Sequence, residues 1–216
     1  MRRVFLSTPR CVSAFREAVV AFPPASQSGV FTSVEYGVLN SPEGLDHGYT
    51  HACVCSSSLQ YMDKPMQQLR EILEAQSSQP VLDVEFSSTL GAVLPSGIRH
   101  LVLWRFDPSA WAGGDDPVGV AIRGYEALPA AMPEYFAHLQ TARAASCAAR
   151  HYDGTGGESA FAVDGHTVVL YSTFHGREQQ RGFVKDERRK SFKAQFVSPF
   201  LAAGGCLVFD FTPGVC

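Results

Sequence analysis

The chain has 216 residues, 45% of them apolar and 18% charged, with a formal net charge of −3. That length fits one large domain or two of about 100 residues each, and the balance excludes a globally disordered chain. No apolar run reaches the ~20 residues that span a bilayer, and the slight acidity does not suggest a general nucleic-acid binder.

The opening stretch carries Arg2, Arg3 and Arg10 and no acid before Glu17. An Arg-rich, acid-poor start is compatible with a transit peptide over residues 1–25 and an organelle location. The competing reading, which we favour, is a strand over Val4–Ser7 and a helix over Val12–Phe22 in a cytoplasmic protein. Val12, Phe15, Val19 and Phe22 are spaced 3, 4 and 3 apart, a helical stripe, and Pro23-Pro24 ends it. Val30–Leu39 alternates as a strand does, and Asn40–Gly48 is turn chemistry. Tyr49–Cys55 reads as a short buried strand, Met62–Ala75 as a helix and Val81–Phe86 as a strand. Ser87–Gly97 is small, polar and marked by Gly and Pro, as a linker is.

The second half opens with a strong strand, Ile98–Phe106. A helix over Val118–Leu128 follows. Periodicity leaves Glu134–Thr141 open between strand and helix, and Arg143–Gly165 reads as an extended loop. His166–Phe174 is predicted as a strand and Gly182–Leu201 as a single helix. Gly204-Gly205 stop that helix, and Cys206–Phe211 is the last strand. Each half therefore runs βαββαβ. One such unit packs two helices on one sheet face and leaves the other face apolar. Two units in one chain can bury those faces against each other, as a symmetric dimer does.

The six cysteines form no CxxC pair, which argues against zinc and thioredoxin-like sites. Cys53 and Cys55 share one strand face as small, reduced core residues. His47, His151, His166 and His175 have no metal-ligand spacing, so no metal is expected. The GTGGES run at 154–159 lacks the phosphate-loop pattern and a following helix and reads as loop.

Three stretches resemble a known family. EYGVLNSPEGLDHGYTHACV (Glu35–Val54), GIRHLVLWRF (Gly97–Phe106) and KSFKAQFVSPFL with CLVFDFTP (Lys190–Pro213) are similar to the stress-responsive dimeric α/β-barrel domain, here in two copies. The resemblance implies an α+β fold of two ferredoxin-like units. Their four-stranded antiparallel sheets would face each other in a pseudo-dimeric barrel, with units at 1–86 and 98–216, a linker at 87–97 and an insertion at about 143–165. It also implies a pocket between each sheet and its helices. A plant polyketide cyclase of this family uses a Tyr and a His near a His-Pro-Ala-His stretch. That stretch falls on Lys64–Gln67 in the first unit, with Tyr61 on the Tyr, and on Asp186–Arg189 in the second. The catalytic His is replaced by Gln67 and Arg189, neither of which serves as a general base near neutral pH.

The residues left to line a pocket are His51, Tyr61 and His100. His51 is the His of the Gly-Tyr-Thr-His signature, and His100 holds the matching first-strand position of the second unit, where the first has Arg3 or Val4. The expected function is a stress-responsive protein that is non-catalytic or binds a small hydrophobic ligand, monomeric and without a cofactor. The alternatives are a cofactor-free enzyme on a small aromatic substrate with His100 or His51 as base, and a structural subunit of a larger assembly. Residues 177–193 hold seven of the 18 Lys and Arg. Arg181, Lys185, Arg188 and Arg189 are the candidate surface for an anionic partner.

Overall fold

Strand and helix patterning resolve into a closed set of elements in the computed structural model, which describes residues 2–22, 33–41, 44–57, 63–87, 96–111, 114, 116–145 and 166–214. The first half contains β1 (Arg2–Ser7), α1 (Val12–Ala21), β2 (Ser33–Val38), β3 (His51–Ser56), α2 (Asp63–Gln76) and β4 (Leu82–Phe86). The second contains β5 (Ile98–Phe106), α3 (Pro117–Glu126), α4 (Leu128–Ala131), β6 (Phe136–Ala145), β7 (Thr167–Phe174), α5 (Arg177–Lys185), α6 (Glu187–Phe196) and β8 (Leu201–Phe211). The Arg-rich start is thus a central strand: β1 pairs antiparallel with both β3 and β4.

The eight strands form one curled sheet in the order β2-β3-β1-β4-β6-β7-β5-β8. Each half repeats the ferredoxin-like order, and each fourth strand meets the second strand of the other half. At the first seam Glu85 and Phe86 of β4 pair with Ala145 and Ala144 of β6. The second seam closes the sheet into a barrel. Leu39 bridges to Phe211, Asn40 N–H donates to Asp210 O at 2.8 Å, and Gly214 N–H donates to Tyr36 O at 2.8 Å.

Strand alternation sorts side chains into three layers. Val4, Val54, Val84, Leu101, Leu103, Tyr171, Phe209 and Phe211 point inward and join the halves. Phe5, Cys53 and Cys55 meet Phe15, Met66 and Leu69 beneath α1 and α2. Val102, Trp104 and Val208 meet Val118, Tyr125 and Phe183 beneath α3 and α5. Cys53 and Cys55 are free, buried thiols, as expected of core residues.

The second seam leaves no room at Gly37, where a Cβ would sit 2.7 Å from both the Phe211 ring and the Thr212 carbonyl. Backbone cannot retreat cheaply there. Gly37→Ala is therefore expected to destabilise the protein by about 2 kcal/mol, read as a lower urea midpoint with an unchanged slope.

Several boundaries differ from the sequence reading. The single helix expected over Gly182–Leu201 is two helices. Asp186 breaks it by accepting from Arg188 N–H at 2.8 Å, which makes it the cap of α6. Leu201 already belongs to β8, and Gly204-Gly205 lie within that strand, where the register against Trp104 and Phe106 shifts. Gly204 has φ +61° and a Cβ on Gly205 would come 2.5 Å from Arg105 O, so the pair builds a bulge and does not stop a helix. The undecided stretch after Glu134 is strand β6, which runs through Ala145, so the first three residues of the expected loop, 143–145, are strand. Tyr61, Cys147, His151, the 154–159 run and most of the expected linker and insertion lie outside the described residues.

Candidate functional site

His100 lies on the helix-facing side of β5, directly opposite Asp210 of β8 and Ser172 of β7. Its Nδ1 is 2.5 Å from Asp210 Oδ1, and both side chains are essentially closed to solvent. Gln180 of α5 donates through Nε2 to Asp210 Oδ2 at 2.6 Å. Arg177, one helical turn earlier, donates through Nη1 to Gln180 Oε1 and to the Asn40 carbonyl, each at 2.9 Å. Asn40 belongs to the first half, so the chain of bonds from His100 ends across the seam.

This network fixes a tautomer. A carboxylate only accepts, so Nδ1 carries a proton, and in the neutral imidazole Nε2 holds the lone pair. Nε2 is buried and has no partner among the described residues. Around the imidazole stand Phe174, with ring centroids 5.4 Å apart, and Phe183, at 6.3 Å. Phe136 packs on both, 5.2 Å from Phe174 and 4.8 Å from Phe183. An oriented imidazole inside an aromatic box can accept a proton from an apolar molecule that enters it.

The first half does not repeat this arrangement. Register places Arg3 where the second half has His100, since Arg3 lies opposite Glu85 as His100 lies opposite Asp210. Arg3 is clamped by Asp83, its Nε and Nη2 each 2.6 Å from one carboxylate oxygen. Arg70 reaches the same carboxylate at 3.5 Å. That position holds a fixed ion pair and offers no base.

His51 sits on the helix-facing side of β3 under Phe15, at 4.9 Å in an edge contact. Its Nδ1 meets Thr50 Oγ1 at 2.8 Å, with no carboxylate to orient it among the described residues. The open grooves described lie elsewhere, on the outer face of α1 and between α1 and α2 beside Phe22 and Ile72; neither His51 nor His100 lines them. Of the candidate basic surface, Arg181, Lys185 and Arg188 are exposed and Arg189 is half-buried. Arg188 is bound to Asp186, Glu134 and the Ala131 carbonyl, and Arg189 donates to Val184 O and covers the Phe183 ring.

Burial holds His51 below the ordinary imidazole pKa, and burial together with the Arg2 and Arg99 guanidiniums does the same to His138. Both groups bind protons more weakly folded than unfolded, so their contribution is full above ~6.5 and is lost as pH falls below it. Urea midpoints at pH 7, 6 and 5 are expected to fall in that order. The slope is at most ~1.4 kcal/mol per pH unit for each histidine, and His138→Gln should flatten it.

Sequence reasoning found His100 but missed Asp210, Gln180 and Arg177 as its partners. The available signal was Asp210 itself, an acid between Phe209 and Phe211 in an apolar strand.

No protein-family profile and no curated protein sequence matches the chain. Solved structures do match it in fold. An anthrone oxidase-like protein aligns over 98% of this chain and 90% of its own, at 10% identity and a TM-score of 0.58. A candidate monooxygenase of Lactobacillus acidophilus aligns over 98% and 91%, at 9% identity and TM-score 0.58. A major regulator of staphylococcal pathogenesis aligns over 99% and 98%, at 9% identity and TM-score 0.52. At such identities the likeness is one of fold, the ferredoxin-like α/β barrel. No helix among the described residues is long and apolar enough to cross a membrane.

Proposed function

We propose that the protein binds a small aromatic molecule on the helix-facing side of its second half, where His100 takes up a proton from it. The observation that carries this reading is the His100–Asp210 pair at 2.5 Å with a buried, unpartnered Nε2. Nε2 is unpartnered at His51 and His138 as well; what sets His100 apart is the buried carboxylate that orients its ring. The aromatic box supports a flat apolar ligand, and Phe183 on the nine-residue α5 is the wall that must swing for entry. The transfer uses the imidazole alone: a C–H or O–H bond of the ligand breaks, its electron pair stays on the ligand, and the proton binds Nε2. In this reading the units are residues 1–86 and 98–216, the chain is a monomer closed on itself, and the first half is scaffold. The stretch Glu35–Val54 supports placing the protein with the stress-responsive barrels.

Anthrone is the chosen test molecule, because its methylene is acidic and a fold neighbour is an anthrone oxidase-like protein. The full chain should hold anthrone in native mass spectrometry and accelerate exchange of its methylene protons in D2O, read by NMR. His100→Asn should lower that acceleration at least ~100-fold while leaving binding in place. Binding without exchange in the wild type would leave a non-catalytic carrier, and the absence of both would overturn the reading.

A further inference from the structure

Inside the barrel, away from His100, a second polar cluster joins the halves. Arg99 of β5 is closed to solvent and binds both carboxylate oxygens of Glu35 of β2 through Nε, at 3.0 and 3.1 Å, and again through Nη2. Tyr171 O–H donates to Glu35 Oε2 at 2.8 Å. Arg2 of β1 is 1% exposed. It donates through Nη1 to Gln140 Oε1 of β6 at 3.0 Å and through Nε to Ser56 Oγ at 3.3 Å, and it lies 4.8 Å over the Tyr171 ring.

The strand register makes these two arginines counterparts. With Arg3 matching His100, Arg2 matches Arg99, and Cys55 matches Ser172. Val54 then matches Tyr171, and their partners Glu35 and Gln140 match each other. The barrel thus holds the same cross-unit pair twice, once as guanidinium with carboxylate and once as guanidinium with amide. The Glu35 acceptors are taken by Arg99 and Tyr171, and every direct partner of Arg2 is neutral. Among the described residues its Nη2 is buried without a hydrogen-bond partner, as is His138 Nε2, and His138 lies within electrostatic reach of both arginines. The Glu35 charge is felt at Arg2 as well, but that one carboxylate serves two buried guanidiniums, and a buried positive charge left in excess is costly. Glu35, at 12% side-chain exposure, marks where the cluster approaches solvent.

We propose that the barrel interior binds one small monoanion, a halide or a short carboxylate, between Arg2 Nη2 and His138 Nε2, in place of the carboxylate that Gln140 lacks. The anion closes the charge balance of the inter-unit core and links the stability of the barrel to the anion supply.

Melting of the full chain at constant ionic strength tests this, with sodium gluconate as the bulky salt that cannot enter and chloride or formate replacing it. Raising chloride or formate from 5 to 200 mM should raise the melting temperature by about 4 °C, and the anion effective at lower concentration identifies the source. Gln140→Glu should melt higher in gluconate and show no gain from either anion. Arg2→Met should also lose the gain, which covers failure of the first variant to fold. Crystals grown in bromide should give an anomalous peak at Arg2 Nη2. Equal melting in all salts, a gain that survives Gln140→Glu, or a water at the position would each overturn the proposal.

Discussion

Replacing Glu35 by alanine is expected to lower the melting temperature by about 12 °C, from a loss of about 4 kcal/mol. The size follows from what is left behind. Arg99 is wholly buried and loses the carboxylate that binds it through Nε and Nη2, and the Tyr171 hydroxyl loses its acceptor. Burial, the larger of the causes that push the Tyr171 phenol far above its ordinary pKa, persists without Glu35, so that hydroxyl does not ionise to compensate. Removing one member of a buried pair costs far more than removing the pair, because the survivor keeps its desolvation penalty. Glu35→Leu combined with Arg99→Met should therefore recover most of the loss. A double variant no more stable than the single one would sink this account. Thermal and urea denaturation of the three proteins decide it.

The second large effect is expected from Asp210→Asn. An asparagine presents one oxygen and one NH2 where Asp210 presents two acceptors. If the oxygen faces His100, the NH2 faces the Gln180 Nε2 donor; Gln180 must flip, and its NH2 then meets Arg177. If the NH2 faces His100, Nδ1 becomes the acceptor and Nε2 carries the proton, so the base is lost. The first outcome breaks the Arg177–Gln180 bond drawn at 2.9 Å in the wild type, and the second reverses the direction of the His100 bond drawn at 2.5 Å. Exchange on anthrone should fall at least ~100-fold. The 15N shifts of the His100 ring report which tautomer is present, independently of any activity. An unchanged ring tautomer together with an intact Arg177–Gln180 contact would rule out Asp210 as the positioning residue.

Much of the architecture was legible in the sequence because it is written in periodicity. Alternation at Ile98–Phe106 and the stripe Val12, Phe15, Val19 and Phe22 follow from burying one face of a strand or helix. The helix break at Asp186 was less legible, since Phe183, Phe192 and Phe196 continue a helical spacing across it. Only the cap from Asp186 to Arg188 N–H reveals the stop. The bulge at Gly204-Gly205 imitates a helix C-cap for the same reason: both use glycine where the chain must turn sharply. Of the site, His100 was visible as a histidine on an apolar strand. Its partners were not, because Asp210 and Gln180 come from elements that the barrel closure brings together. Arg2 and Glu35 were hidden as well. An arginine near the start of a chain and an acid in a half-polar strand look solvent-facing until the opposite half of the barrel is in place.

The two inner pairs also fix which halves recognise each other. The first half carries both an arginine and a glutamate on its inner face, Arg2 and Glu35, and the second carries Arg99 with Gln140. Expressed as separate chains, first halves could pair with themselves and match each guanidinium to a carboxylate twice. Second halves paired with themselves would bury two guanidiniums against two amides. Self-complementarity thus survives in one half alone, and the second half depends on the first for its counter-charge as well as for the cover of its sheet.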